Sequence, residues 1–159
     1  MRDYDIIPSP VGELLIAEKD GALTHVLFPD FTGKFDMENN TRKRTSLLDA
    51  CAVQLREYFD GKKKIFDLPL KPEGTEFQLK DWNVLREIPY GETRSYKDIA
   101  IAIGNSKACR AVGTANHNNP ISIIIPCHRV IGSDGSLTGY GGGLDKKTYL
   151  LELEQKNRP

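Results

Sequence analysis

Apolar positions in the first seventy residues fall into short runs separated by turn-forming residues. The runs lie at 4–7, 13–18 and 22–28, with Pro8, Pro10, Gly12 and Gly21 between them. Proline and glycine between strand-like runs predict strands joined by tight turns, so this part should form a hairpin array. Leucine and aromatic residues at 47–59 then recur at helical spacing, with Ser46 as the candidate N-cap, and 65–70 suits a further strand.

After residue 75 the pattern becomes mainly helical. The polar stretch 71–75 is the best candidate for a linker. Apolar residues at 77–88 predict a helix, the β-branched run 121–125 predicts a buried strand, and a last helix ends the chain. The expected fold class is α+β, with a small α/β domain at 1–74 and a mainly helical domain at 75–159.

Two short helices around a glycine are predicted after residue 94. Ser95 and Asp98 have the spacing of a capping box, which begins a helix by satisfying its free N–H groups. Gly104 breaks that helix, and Ser106 is the candidate N-cap of the next. Helices joined in this way resemble the DNA-binding helix-turn-helix, although a helical hairpin packed on a core would give the same pattern.

The second of these helices is built from small residues. They are Ala108, Cys109, Ala111, Gly113 and Ala115. An interior glycine costs about 1 kcal/mol relative to alanine, so Gly113 should serve the close approach of another surface. A slim helix with one long cation, Arg110, could enter a narrow minor groove and insert that side chain into the base stack. We expect its buried stripe to be Ala108, Ala111, Val112 and Ala115.

Charge is balanced over the whole chain, with 22 basic and 22 acidic residues. Phosphate binding usually appears as an excess of Lys and Arg, so the total argues against a large nucleic-acid surface. The stretch 94–129 is locally basic, with Asp98 as its acid and the following cations: Arg94, Lys97, Lys107, Arg110 and Arg129. A protein that reads DNA through one small patch fits this distribution, as do many unrelated domains.

Nothing in the sequence predicts a membrane or secreted protein. The apolar run 121–125 is too short to span a bilayer, and the N-terminus lacks an apolar signal core. Three cysteines without tight spacing fit a reducing compartment, so we expect the cytoplasm. Cys51 lies on the apolar stripe of the first helix and should belong to the core, whereas Cys109 should be a small spacer.

Cys127 is the candidate nucleophile, because His128 follows it directly. The thiolate is the reactive form of cysteine, and a neighbouring base can generate it. Adjacent side chains on a regular strand point to opposite faces, so proton transfer between them needs a turn at Pro126 or a bridging water. A buried structural cysteine beside a histidine is the alternative that the dipeptide alone leaves open.

The string Pro126-Cys-His-Arg-Val130 resembles the active-site signature of the O6-alkylguanine-DNA alkyltransferases, or methylated-DNA–protein-cysteine methyltransferases. The resemblance extends from about Phe77 to Glu154. Separated residues agree in register: Tyr96, Arg110, Asn119, 140–144 and Glu154. It implies an N-terminal ribonuclease H-like domain and a C-terminal domain with a helix-turn-helix. It also implies direct-reversal repair, in which an alkyl group moves irreversibly from O6-alkylguanine, or O4-alkylthymine, to Cys127.

The resemblance also implies a role for each catalytic residue. Cys127 would attack the alkyl carbon, and His128 would remove its proton through a water molecule. Glu154 would bind the other imidazole nitrogen and fix its tautomer. Tyr96 would donate a hydrogen bond towards guanine N3, which makes guanine a better leaving group. Asn119 would tie the helix-turn-helix to the active-site turn.

The implied partner is double-stranded DNA, bound by a monomer through the minor groove with the damaged base flipped. Arg110 stands at the family's arginine finger, the carbonyls of Cys127 and Val130 would accept from the exocyclic amine, and the Gly141 N–H would face O6. Further binding residues are expected at Asn105, Ala111, Gly113, Ser133 and Tyr140.

No cofactor and no metal are expected. Some relatives hold a structural zinc with Cys and His residues of the N-terminal half. Here that half offers only His25 and Cys51, too few for a four-ligand site. We expect His25 to be a structural residue.

Three other functions compete with repair. A non-catalytic lesion-binding protein of the same fold would carry another residue at Cys127. A thiol hydrolase would need an oxyanion hole and would leave Arg110 without a role. A transcription regulator usually needs a dimer and a bulkier base-reading helix.

Overall fold

The computed structural model describes residues 1–137 and 143–159, which form two compact units. The first is Met1–Glu73 with Pro120–Ser122, and the second is Gly74–Asn119 with Ile123–Pro159. The first contains a four-stranded sheet and one α-helix, whereas the second is mainly helical. The predicted α+β class is therefore confirmed.

A hairpin array forms the sheet of the first unit, as predicted. Its strands are β1 (Asp3–Ile7), β2 (Leu14–Lys19), β3 (Ala22–Leu27) and β4 (Thr41–Arg42), in the order β3-β2-β1-β4. The first three pair antiparallel, and β4 pairs parallel with β1. Tyr4, Leu15, Ala17 and Leu27 of the sheet form a buried core with Phe35, which follows the 3-10 helix Pro29–Lys34.

The helix α1 (Ser46–Phe59) begins one residue earlier than predicted. Thr45 is the N-cap and its hydroxyl accepts from Leu48 N at 3.1 Å, so the expectation for Ser46 is wrong. Cys51 lies on the buried face of α1, and burial raises the pKa of its thiol to about 12. This cysteine is a core residue, as expected from its helical position.

Two predicted strands are mostly absent. Within 65–70, Leu70 alone forms a β-bridge, to Leu23. Within 121–125, Ile121 alone forms one, to Val26, and residues 122–124 then make a turn. The turn has Ile123 at φ +73°, a left-handed conformation that is costly for a β-branched residue and incompatible with a strand.

In the second unit, helices pack against the turn Cys127–Arg129. Its helices are α2 (Glu76–Leu85), α3 (Tyr96–Ile103), α4 (Cys109–His117) and α5 (Leu144–Lys156). The short strands β5 (Arg94–Ser95) and β6 (Val130–Ile131) pair in parallel. The predicted capping box at the start of α3 is present, because Ser95 Oγ accepts from Asp98 N and Asp98 accepts from Ser95 N.

The turn between α3 and α4 differs from the prediction in its second half. Gly104 ends α3 at φ +99°, a conformation that glycine adopts without strain. Ala108 precedes α4 and no side chain caps it, so the expectation that Ser106 is the cap is wrong. Ala111 is exposed rather than part of the buried stripe, which consists of Ala108, Val112 and Ala115.

None of the helices in the described part of the chain is long and apolar enough to cross a membrane.

A pair of serine substitutions tests the two helix starts. Ser95→Ala removes the α3 cap and should lower the free energy of unfolding by about 1 kcal/mol, since it leaves an amide of the first turn without its acceptor. Ser106→Ala is the matched control and should change it by less than about 0.5 kcal/mol. Urea unfolding measures both. Equal losses in the two variants would contradict the assigned caps.

Candidate active site

Cys127 lies at the start of a single 3-10 turn, Cys127–Arg129. Pro126 stands before it at φ −83° and ψ 64°, and Arg129 N donates to Pro126 O at 3.0 Å. The turn replaces the alternation of a strand, so the thiol and the following imidazole are not forced to opposite faces. Cys127 is 5% exposed.

Asn119 holds this turn from its N-terminal side. Its Nδ2 donates to Ile125 O at 2.8 Å and lies 3.3 Å from Cys127 Sγ. The asparagine therefore contacts both the backbone before the turn and the sulfur itself. An amide hydrogen in that place stabilises negative charge on sulfur.

His128 and Glu154 form a buried pair. His128 Nε2 lies 2.6 Å from Glu154 Oε2, and both side chains are almost completely excluded from solvent. His128 Nδ1 is also buried and has no hydrogen-bond partner among the described residues. The glutamate thus occupies one ring nitrogen and leaves the other free to exchange a proton.

Arg129 is a functional residue that sequence reasoning misassigned. The sequence groups it with the basic residues of a candidate DNA-facing patch, but its side chain is buried and bound to Glu154. Its Nε donates to Oε1 at 2.8 Å, a second guanidinium nitrogen donates to Oε2 at 3.1 Å, and the third donates to Ile88 O at 2.7 Å. Its position inside the string Pro126–Val130 is the one signal in the sequence that points to the active site.

The electrostatics of this cluster keep the glutamate charged and the histidine neutral. Burial raises the pKa of Glu154, but the hydrogen bonds and charges of His128 and Arg129 hold it well below its usual range. Burial lowers the pKa of His128, Glu154 opposes this, and Arg129 adds to it. At neutral pH the imidazole therefore donates Nε2–H to the carboxylate and keeps a lone pair on Nδ1.

Lys147 is a second residue that sequence reasoning missed. It comes from α5, is buried, and donates from Nζ to Val130 O at 2.5 Å. Burial lowers the pKa of its ammonium group, and the charge of Cys127 opposes that shift. The Val130 carbonyl, expected to accept from the substrate amine, thus has one lone pair occupied and one left.

Tyr96 and the slim helix lie together. Tyr96 is the half-buried first residue of α3, and the Lys147 Nζ is 5.8 Å from the centre of its ring. A Cβ added at Gly113 would meet only Tyr96 Cε1, at 3.9 Å, among the described residues. This is an ordinary contact, so packing inside the described part of the protein does not require glycine there.

The remaining expected binding residues lie on exposed segments. Arg110 and Ala111 are exposed on α4, Asn105 is exposed in the turn before it, and Ser133 is exposed in the turn after β6. Tyr140 and Gly141 lie outside the described residues.

Candidate metal ligands are not grouped. In residues 1–137 and 143–159, no three His, Cys, Asp or Glu side chains could hold a metal ion together. His25 Nδ1 lies 2.8 Å from Thr24 Oγ1, and burial lowers the pKa of His25 to about 4, as suits a structural imidazole.

Two family models match the chain. The 6-O-methylguanine DNA methyltransferase ribonuclease-like domain matches residues 3–72, and the DNA binding domain of the same proteins matches residues 76–156.

Curated relatives match over nearly the whole length. The methylated-DNA–protein-cysteine methyltransferase of Methanosarcina barkeri is 53% identical over 154 residues, which cover 97% of this chain and 98% of that protein. The constitutive methylated-DNA–protein-cysteine methyltransferase of Bacillus subtilis is 45% identical over 159 residues, covering 98% and 96%. The crystal structure of Mycobacterium tuberculosis OGT in complex with DNA superposes with a TM-score of 0.91 at 46% identity, covering 99% and 95%.

Arginine substitutions test the buried ion pair. Arg129→Met should lower the free energy of unfolding by about 3 kcal/mol, because it leaves the Glu154 carboxylate buried without its cation. Arg94→Met breaks an exposed pair with Glu92 and should cost less than about 1 kcal/mol. Chemical unfolding at pH 7 measures both losses, and a similar small loss in each would mean that the buried pair is not what stabilises the turn.

Proposed function

The chain belongs to the 6-O-methylguanine DNA methyltransferase family, and we infer that Cys127 is the residue on which it accepts the alkyl group. It is a methylated-DNA–protein-cysteine methyltransferase, a protein of direct-reversal DNA repair whose partner is DNA. One observation supports the assignment of the acceptor: the Cys127 turn is bound on one side by Asn119 and on the other by the His128–Glu154 pair.

The proposed reaction begins with the thiol proton. His128 Nδ1 takes it through a bridging water, while Nε2–H stays on Glu154 and the resulting cation is stabilised by that carboxylate. The sulfur then bonds to the alkyl carbon as the carbon–O6 bond breaks, and the electron pair of that bond remains on guanine. Tyr96 donates towards guanine N3 and so stabilises the leaving base.

The product is a thioether on Cys127. Cleaving it would need a nucleophile and an activated leaving group that this arrangement does not supply, so each molecule acts once. The cysteine itself argues against the lesion-binding alternative, because such a protein has no acceptor sulfur. O4-alkylthymine is a second substrate that the same chemistry accommodates, since its alkyl carbon is also bonded to an exocyclic oxygen.

We propose that α4 enters the minor groove and that the damaged base is flipped towards Cys127. Ala111 is a small residue on the exposed face of α4. Packing among the described residues does not require a glycine at position 113. The exposed Arg110 then fills the space left in the base stack. Asn105 and Ser133 would contact the DNA on either side, and a monomer in the cytoplasm suffices for this geometry.

Mapping of the alkylated peptide tests the function directly. The protein incubated with an excess of duplex containing O6-methylguanine should gain one methyl group per molecule, on the Cys127 peptide, and then stop. Cys51 and Cys109 provide internal controls and should stay unmodified. Cys127→Ala should bind the duplex without transfer.

The alternatives give other outcomes. Retained lesion binding by the wild-type protein with no adduct would favour the lesion-binding function. Repeated turnover would favour a hydrolase, and either result would contradict alkyl transfer to Cys127.

Substitution of the arginine tests the DNA geometry separately from the chemistry. Arg110→Ala should slow transfer from the duplex by about tenfold or more, because unstacking a base costs a few kcal/mol that nothing then offsets. Transfer from free O6-benzylguanine needs no unstacking and should keep its rate. Lys107→Ala is the control for simple loss of charge, and it should weaken duplex binding without this difference between substrates. Equal slowing on both substrates would contradict the role of Arg110.

A further inference from the structure

A carboxylate that takes no part in the chemistry above is completely buried in the second unit. Asp81, on α2, is 0% exposed, and this burial raises the pKa of its carboxyl group. An ionised carboxylate without a cationic partner is expensive to bury, and an apolar residue would fill this position at lower cost. The unfavourable free energy of burying this carboxylate points to a role beyond packing.

Asn116, on the last turn of α4, is the partner of this carboxylate. With its amide nitrogen towards α2, Nδ2 lies 2.6 Å from Asp81 Oδ2, 3.1 Å from Oδ1, and 3.2 Å from Val112 O. The opposite orientation would set the amide oxygen against acceptors only, so these neighbours determine the orientation. Trp82, next along α2, binds the same turn from Nε1 to Ala115 O at 2.9 Å.

Two consecutive contacts connect the last turn of α4 to the reacting sulfur. Asn116 O accepts from Asn119 N at 3.2 Å. The Asn119 side chain then donates to Ile125 O and lies 3.3 Å from Cys127 Sγ. A displacement of Asn116 is therefore transmitted to the amide that contacts sulfur.

We propose that Asp81 is a positioning residue for the alkyl transfer. Through Asn116 it fixes the last turn of α4, and that turn places the Asn119 amide beside the sulfur. The proposal rests on the function proposed above, because it concerns the geometry of the same thiol. A leucine at position 81 would pack but would offer no acceptor to orient the Asn116 amide.

The ionisation of Asp81 gives this arrangement a pH dependence. Burial raises the pKa of Asp81 to about 7, while the Asn116 amide favours the charged form. Helices α3 and α4 and the 127–129 turn pack against α2. None of their charged or titratable side chains contributes to the pKa shift of Asp81: Tyr96, Lys97, Asp98, Cys109, Arg110, His117, Cys127, His128 and Arg129.

Opposite changes in stability and rate distinguish positioning from packing. Because the folded-state pKa lies above the unfolded value of 3.8, this acid stabilises the fold at low pH and loses that contribution as pH rises through about 7. Asp81→Leu should therefore be more heat-stable than wild type at pH 8, with a smaller gain at pH 5. Despite that gain, its transfer rate from free O6-benzylguanine and from duplex should fall about fivefold or more.

Four further variants locate the effect. Asn83→Leu places the same side chain on the exposed face of α2 and should keep the wild-type rate. Asn116→Leu alone and the double variant Asn116→Leu/Asp81→Leu should both transfer at the rate of Asp81→Leu, because the two residues act on the rate through one contact. Asp81→Asn keeps the shape of the side chain but cannot ionise. The transfer rate of wild type should rise between pH 6 and 8 as Asp81 ionises, and Asp81→Asn should lack that rise.

The outcomes separate this inference from the function on which it rests. A stable Asp81→Leu protein with the wild-type rate, or an Asp81→Asn protein with the wild-type pH profile if the leucine variant does not fold, overturns the role of Asp81 alone. Wild-type protein that forms no Cys127 adduct overturns the proposed function and this inference together.

Discussion

The buried carboxylate of Glu154 is the interaction on which the site depends. It accepts from His128, from Arg129 and from the backbone N–H of Gly91, so two separate segments, the Cys127–Arg129 turn and the backbone at Gly91, are tied to the last helix through one side chain. Burial of a charge in this position is tolerated only because its oxygens are so fully bonded. The same bonds orient the histidine, and the cation beside the carboxylate keeps it from taking the proton of the imidazole.

In the proposed reaction, the groups around Cys127 have two different roles. On one side, Glu154 fixes the base and leaves its second nitrogen free; on the other, Asn119 and Lys147 bring a hydrogen bond and a positive charge near the sulfur. These groups make sulfur nucleophilic, but they provide nothing that could reverse a thioether. In the proposed reaction, each protein molecule therefore transfers one alkyl group.

Sequence reasoning succeeded where local rules dominate. The three hairpin strands and the Ser95 capping box depend on neighbouring residues, and both are present. The motif around Cys127 was enough to indicate the family, which the family models confirm. It failed where distant contacts decide. Ile123 adopts a left-handed turn in a run that favours a strand, and Arg129 pairs with a glutamate 25 residues away. Asp81 could not be singled out, because its partner lies on another helix.

The protonation state of His128 tests the central claim most directly. Nitrogen-15 NMR of histidine-labelled protein distinguishes the two neutral tautomers and the imidazolium, and variants lacking His25 or His117 assign the signals. The account predicts a neutral ring at pH 7 with its proton on Nε2, donated to Glu154. A proton on Nδ1, or an imidazolium at that pH, would contradict it, because neither form could take the proton of Cys127.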